Sequence, residues 1–218
     1  LDILLAIDRA GIVGADGETH QGIYDISFLR ILPKIVLMTP SDESEMWKML
    51  STGQQYEGLA AVRYPRGYSQ GEDINLDDIT IEIGKSRIIQ KGSKIAYLVF
   101  GTLLNTVNKV AKKNGGTVVD MRFVKPIDED MIIDICNTHD YIFTVEDNVI
   151  LGGAGTAVNE VMTKYSLKND LVNIGIPDKI IPHGNQDEIL SELDLDELGI
   201  EKITNDHIHN MVEISNKK

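Results

Sequence analysis

The sequence has little cysteine and no long apolar run, and each scarcity excludes a class of protein. A single cysteine, Cys136, excludes an internal disulfide framework and fits a reducing compartment, so we expect a cytoplasmic protein. The isoleucines around Cys136 predict a buried small hydrophobe rather than a nucleophile. No run is long and apolar enough to span a bilayer, so we expect no membrane partner.

Positive charge is also scarce. The net charge of −13 argues against a nucleic-acid partner, because phosphate backbones need a basic surface. The few arginines are unevenly spread, and four of them fall within the first 66 residues, namely Arg9, Arg30, Arg63 and Arg66. Guanidinium groups suit phosphate and carboxylate better than ammonium groups do. The N-terminal third is therefore where we expect an anionic ligand.

The histidines are few and lack metal-ligand spacing. None belongs to an HExxH pattern or to a Cys/His zinc pattern. The sequence therefore predicts no metal ligands in this chain.

Strand and helix patterns alternate along the chain. Continuous apolar runs predict strands, most of them followed by a segment with helical spacing, at residues 3–7, 35–38, 60–64, 94–100, 117–121, 141–145 and 171–176. This alternation predicts right-handed βαβ crossovers and an α/β fold with two mostly parallel sheets. Residues 68–80 are polar and acidic, and we interpret them as a linker between domains at 1–80 and 81–218.

The loop at residues 8–22 carries the densest set of chemical groups. It follows a predicted strand, and ligands of open α/β sheets gather beyond the carboxyl ends of strands. Glycines let its backbone turn sharply, and Arg9, Asp16 and His20 lie within twelve positions. Each also has a structural interpretation, since Arg9 can pair with a neighbouring aspartate and a lone histidine is often structural. Together they predict a ligand site.

Two further arginines, Arg63 and Arg66, close the third predicted strand. Residues three apart on a strand point to opposite faces, so we expect only one of them to reach a cavity. We choose Arg66, which lies in the loop, as a phosphate ligand. A second glycine-rich stretch, residues 152–155, precedes a helix; we interpret it as close helix-to-strand packing rather than as an anion site.

Several motifs resemble one family. DGETHQ at residues 16–21 is similar to the DGPTHQ signature of the transketolase superfamily, with Glu18 in place of proline. Within that superfamily, the chain most resembles the 1-deoxy-D-xylulose-5-phosphate synthase family through DRAGIVG at 8–14, MTPSDE at 38–43, RYPRG at 63–67 and VDMRFVKP at 119–126. The resemblance covers almost all of the 218 residues.

The resemblance implies a partial pyrimidine-binding domain followed by a transketolase C-terminal domain. Family members condense pyruvate with D-glyceraldehyde 3-phosphate, release carbon dioxide and form 1-deoxy-D-xylulose 5-phosphate, a precursor of isoprenoids, thiamine and pyridoxal. Their cofactor is thiamine diphosphate with Mg²⁺. They form homodimers, so the resemblance implies self-association as well.

The resemblance also implies roles for the loop residues. Arg9 and Arg66 correspond to the groups that bind the phosphate of the aldehyde acceptor. Asp16 corresponds to the residue that hydrogen-bonds the hydroxyl groups of the acceptor. His20 corresponds to a neighbour that positions substrate or carries a proton, which suits an imidazole near neutral pH.

Two family features are missing from the sequence. It has neither the GDG…N motif that binds Mg²⁺ and diphosphate nor the glutamate that activates the aminopyrimidine, and it opens directly on an apolar run. We therefore expect a fragment that binds no cofactor and is inactive alone. Two alternatives stay open: a transketolase or 2-oxoacid dehydrogenase beta-type half-enzyme that needs a partner chain, and a non-catalytic α/β binding module.

Overall fold

A computed structural model describes residues 1–67 and 79–216. The predicted linker at 68–80 falls almost entirely outside these residues. The fold is α/β with two mostly parallel sheets, which confirms the predicted class. In chain order, the described strands and helices are β1 (Ile3–Ile7), α1 (Asp25–Leu29), β2 (Val36–Met38), α2 (Glu43–Gln55), β3 (Leu59–Arg63), β4 (Arg87–Gln90), β5 (Lys94–Phe100), α3 (Leu104–Asn114), β6 (Thr117–Asp120), β7 (Phe123–Lys125), α4 (Glu129–Thr138), β8 (His139–Val149), α5 (Ala154–Lys164), β9 (Asp170–Ile176), α6 (Gln186–Glu192) and α7 (Glu197–Asn216).

The helices begin and end where local chemistry favours it. The carboxylate of Asp42 accepts the backbone N–H of Glu45 at 2.7 Å and so caps the start of α2. Gly115 ends α3 in the left-handed conformation, with φ of 72°, which glycine adopts without strain. Helix α2 packs against β3, and α3 packs against β5.

The first sheet has the strand order β1-β3-β2-β7 and the second has the order β4-β6-β5-β8-β9. All pairs are parallel except β2 with β7 and β4 with β6. The sequence patterns did not predict β4 or β7. A shared apolar core joins the sheets, since Leu37 and Ala61 of the first belong to one cluster with Leu98 and Ile142 of the second.

Strand β7 belongs to the second predicted domain, residues 81–218, but to the sheet of the first. It follows β6 of the second sheet in the chain but pairs antiparallel with β2 of the first, with Leu37 opposite Lys125 and Met38 opposite Phe123. The ammonium group of Lys125 also donates to the carbonyls of Arg30 and Leu32, at 2.9 and 2.8 Å. The domain boundary therefore stays a prediction, and the first sheet contains a strand from beyond it.

Candidate active site

The loop at residues 8–22 lies at the carboxyl ends of β1 and β3. The backbone N–H of Ala10 donates to the carbonyl of Tyr64 at 2.9 Å, which ties the loop to the end of β3. Its two ends are joined by hydrogen bonds of 2.7 and 3.0 Å between Gly11 and Gly22. Gly22 has no room for a side chain, because a Cβ there would lie 1.8 Å from the carbonyl oxygen of Arg9.

The structure brings the predicted site residues together. Nη1 of Arg66 donates to Oδ2 of Asp16 at 2.5 Å, and Nε of Arg9 lies 3.7 Å from the same oxygen. The hydrogen bond from Arg66, aided by attraction from Arg66, Arg9 and His20, lowers the pKa of Asp16. Two guanidiniums, one carboxylate and one imidazole therefore lie together at the carboxyl ends of β1 and β3.

His20 ends a short 3₁₀ helix, Glu18–His20, that follows the turn at Asp16. Its Nδ1 lies 3.0 Å from the hydroxyl of Thr19, and both side chains are exposed. An exposed imidazole beside Asp16 is accessible to a ligand that occupies the loop.

A cleft of about 510 Å³ opens beside the loop, and Arg66 lines it. Its walls come from the carboxyl ends of β2, β3 and β5 and from the start of α6, including Ser41, Tyr64, Thr102 and Gln186. The cleft thus lies where both sheets present the carboxyl ends of strands, the usual place for ligands in α/β folds.

Arg63 is buried and does not line the cleft, whereas Arg66 does. The side chain of Arg63 is 1% exposed, whereas that of Arg66 is 61% exposed. Arg63 donates from Nε to Asp25 at 2.7 Å, from Nη2 to the carbonyl of Gly22 at 2.9 Å, and from Nη1 to Asp147. Burial lowers the pKa of Arg63, but the charges of Asp147 and Asp25 outweigh this effect and raise the pKa above its usual value.

Neither Asp147 nor Gln186 was predicted from the sequence. Asp147 lies in the buried part of β8; besides Arg63 it accepts a hydrogen bond of 3.1 Å from Thr102, and a Cβ on Gly11 would lie 3.0 Å from its Oδ2. The signal was a run of polar residues, 146–148, inside a buried strand. Gln186 donates to the carbonyl of Ile12 at 2.6 Å, and no sequence pattern marks it.

The glycine-rich stretch at 152–155 provides close packing, as predicted, and it also binds a carboxylate of this chain. A Cβ on Gly155 would lie 2.5 Å from the hydroxyl oxygen of Thr144. The backbone N–H groups of Ala154 and Gly155 donate to Glu146 at 2.7 and 2.8 Å. Burial nevertheless raises the pKa of Glu146 to about 8.

Residues 1–67 and 79–216 contain no group of three or more His, Cys, Asp and Glu side chains arranged to hold a metal ion. Within the same ranges, no helix combines the length and the apolarity that a membrane span requires.

Two known protein families match the chain, one after the other along the sequence. The family described as "Transketolase, pyrimidine binding domain" matches residues 1–70, and the family described as "Transketolase, C-terminal domain" matches residues 84–200. The second match alone covers more than half of the chain. The chain belongs to the transketolase family.

Among transketolase relatives, the chain is similar to 1-deoxy-D-xylulose-5-phosphate synthases. It is 56% identical over 202 residues to that of Pasteurella multocida (strain Pm70), covering 92% of this chain and 33% of the relative. It is 50% identical over 208 residues to that of Vibrio campbellii (strain ATCC BAA-1116), covering 95% of this chain and 34% of the relative. The chain spans about a third of the length of these relatives.

Two solved transketolase structures share the fold. One, described as "Split gene transketolase, inactive beta4 tetramer", has a TM-score of 0.82 at 24% identity, over 93% of this chain and 65% of that one. Transketolase from Campylobacter jejuni subsp. jejuni NCTC 11168 has a TM-score of 0.67 at 16% identity, over 93% of this chain and 31% of that one. At these identities the likeness concerns the fold alone.

Proposed function

We propose that the chain is the acceptor-binding part of a thiamine-diphosphate-dependent transferase. The whole enzyme condenses pyruvate with D-glyceraldehyde 3-phosphate to form 1-deoxy-D-xylulose 5-phosphate and carbon dioxide, for isoprenoid, thiamine and pyridoxal synthesis in the cytoplasm. The observation that carries the proposal is the convergence of Arg9, Asp16 and Arg66 at the carboxyl ends of β1 and β3. The similarity to synthases of this type supports it.

The chemistry of the loop suits a phosphorylated hydroxyaldehyde. Arg9 and Arg66 carry permanent charge and present several N–H donors to a phosphate dianion. Asp16, with its lowered pKa, stays ionised near neutral pH and accepts hydrogen bonds from hydroxyl groups. His20 positions the substrate or transfers a proton. Holding the acceptor by its phosphate fixes the position of the distant carbonyl.

The described residues of this chain do not fit the Mg²⁺ that holds the diphosphate of the cofactor. Thiamine diphosphate supplies a carbanion when bound, and its diphosphate is held through Mg²⁺. The described residues offer no cluster of metal-ligand side chains for that ion. In the whole enzyme, the Mg²⁺ and the diphosphate would be held by residues outside this chain.

The phosphate-binding role is tested with glycerol 3-phosphate, which has the phosphate and hydroxyls of the acceptor but no reactive carbonyl. We expect Arg66→Ala and Arg9→Ala each to weaken its binding to the chain by about tenfold or more, because charge-assisted hydrogen bonds are worth about 1.5–3 kcal/mol. NMR titration at low salt measures the dissociation constants. Arg30→Ala is the control, since Arg30 pairs with Glu160 away from the loop. Equal affinities of the Arg30 and Arg66 variants would contradict the role.

The catalytic role is tested by supplying the missing part. We expect the chain alone to bind no thiamine diphosphate at micromolar concentration and to make no product. A fusion of the N-terminal region of the Pasteurella relative to Leu1 should release carbon dioxide from pyruvate when D-glyceraldehyde 3-phosphate is present. Calorimetry measures cofactor binding and product assay measures turnover. Tight cofactor binding by the chain alone would refute this assignment.

A second candidate is a half-enzyme that takes its N-terminal part from a separate chain. The observation that favours this candidate is the likeness in fold to a structure described as a split-gene transketolase. Activity on mixing two separate chains, equal to that of the fusion, would support it. A non-catalytic binding module instead predicts that Arg9→Ala and His20→Ala leave the activity of the fusion unchanged.

We also propose that the protein forms a homodimer. Several large apolar side chains in and around α1 and in the loop after β8 are exposed, namely Tyr24, Phe28, Ile31 and Leu151. The hydroxyl of Ser27 donates to the carbonyl of Leu151 at 2.8 Å, which places these two segments side by side. An exposed apolar patch of this kind is typical of an interaction surface.

A further inference from the structure

The loop that carries the proposed acceptor site rests on the second sheet and its helices. Ile12, within the loop, and Ile23, directly after it, are buried in one apolar cluster with Val99, Val145 and Ile189. The position of the loop is therefore set partly by residues more than 75 positions further along the chain.

Gln186 makes the polar contact between these parts. Its Nε2 donates to the carbonyl of Ile12 at 2.6 Å, and the neighbouring Gly184 N–H donates to the carbonyl of Gly14 at 3.3 Å. Asn185 holds Gln186 in place, because its side chain caps α6 by accepting the N–H of Asp187 at 2.9 Å. The carbonyls of Ile12 and Gly14 are thus both hydrogen-bonded from the segment 184–186, which leads into α6.

The segment 184–186 lies too close to Gly14 for any residue with a side chain at that position. This residue has φ of 75°, and a Cβ on it would lie 2.9 Å from the carbonyl oxygen of Gly184 and 3.0 Å from the backbone nitrogen of Gln186. The left-handed conformation and the close approach both require glycine. The chain therefore enters the turn at Asp16 from a position that the 184–186 segment determines.

Backbone hydrogen bonds connect Gly14 to the turns that contain the site residues. The N–H of Gly17 donates to the carbonyl of Gly14 at 3.2 Å, and the N–H of His20 donates to the carbonyl of Gly17 at 3.1 Å. Asp16 lies inside the first of these turns and His20 ends the second. Gln186 also lines the cleft that Arg66 lines.

We propose that Gln186 is a positioning residue of the acceptor site, so that the C-terminal domain takes part in binding the phosphorylated acceptor. Its amide fixes the carbonyl of Ile12 and thereby the turn that presents Asp16 and His20 opposite Arg66. The inference rests on the proposed function, because it assumes that the loop binds the acceptor.

The test compares two substitutions that remove the same kind of hydrogen bond. Gln186→Met keeps the length and neutrality of the side chain but loses the donor to Ile12. Gln90→Met is the matched control, because Gln90 donates from Nε2 to the carbonyl of Gly116 at 2.9 Å, on the outer strand β4. The probe is glycerol 3-phosphate, titrated into the complete chain and followed by NMR.

We expect Gln186→Met to weaken binding about three- to tenfold, the range of one hydrogen bond, and Gln90→Met to leave the affinity unchanged. Amide hydrogen exchange of Gly17 and His20 should be faster in Gln186→Met than in the control. In the fusion enzyme, Gln186→Met should raise the KM for D-glyceraldehyde 3-phosphate and leave the KM for pyruvate unchanged.

The outcomes separate the two proposals. Unchanged affinity in Gln186→Met, together with weakened binding in Arg66→Ala, would overturn the role of Gln186 and leave the proposed function standing. Equal weakening in Gln186→Met and Gln90→Met would also overturn it, because a general loss of stability would then explain both. Unchanged affinity in Arg66→Ala would overturn the proposed function itself.

Discussion

Replacing Arg63 with alanine is expected to destabilise the chain by about 3–5 kcal/mol, because two buried carboxylates would lose their counter-charge. Asp25 and Asp147 are both buried, and Arg63 donates to each of them. The substitution also removes the donor to the carbonyl of Gly22. Urea denaturation followed by circular dichroism measures the free energy of unfolding.

Arg66→Ala is the matched control for this experiment. It removes the same side chain three residues further along, where the ion pair with Asp16 is largely exposed. Exposed ion pairs contribute little to stability, so the expected change is small. Arg63→Lys should fall between the two, because an ammonium group keeps the charge but lacks the planar fork that reaches three segments. Similar losses in Arg63→Ala and Arg66→Ala would show that the buried network does not stabilise the fold.

Glu146 is expected to make the stability of the chain depend on pH between about 5 and 8. Burial raises the pKa of Glu146 to about 8 in the folded chain, whereas an unfolded glutamate titrates near 4.5. Between these values the folded chain holds a proton that the unfolded chain has released. The free energy of unfolding therefore falls as pH rises, by at most about 1.4 kcal/mol per pH unit for this group.

The substitution Glu146→Gln tests the assignment, since an amide does not titrate. We expect the variant to lose most of the slope between pH 5 and 8, whatever its absolute stability. Burial also raises the pKa of Asp120, so this group contributes to the pH dependence in the same direction. Glu160→Gln is the control at an exposed position, and it should keep the parent slope. A parent slope retained by Glu146→Gln would sink the assignment.

The parallel strands were predictable because their burial on both faces makes them continuous in apolarity. Residues 94–100 and 171–176 were predicted as strands and form β5 and β9. Strand β7 was not predictable in this way. It has three residues, and what makes it a strand is its pairing with β2, more than 80 positions earlier in the chain. A local pattern contains no information about such a distant partner.

In the candidate site, too, some residues were predictable from the sequence and others were not. Arg9, Asp16, His20 and Arg66 stand out because charged groups follow strands that end at one edge of a sheet. The partners that hold them do not stand out, because Arg63 meets Asp147 at a separation of 84 residues and Gln186 meets Ile12 at a separation of 174. Residue type and spacing indicate which groups can do chemistry. Only tertiary contacts indicate what fixes their positions.

Strand β7 has a consequence for how the chain reaches its native state. Protein synthesis proceeds from the N-terminus, so β1, β2 and β3 leave the ribosome well before residues 123–125. Until those residues emerge, one side of β2 has unpaired backbone groups that can join a strand of another molecule. The nascent first sheet therefore depends on later synthesis, and a gene truncated at the predicted boundary would encode a product prone to aggregation.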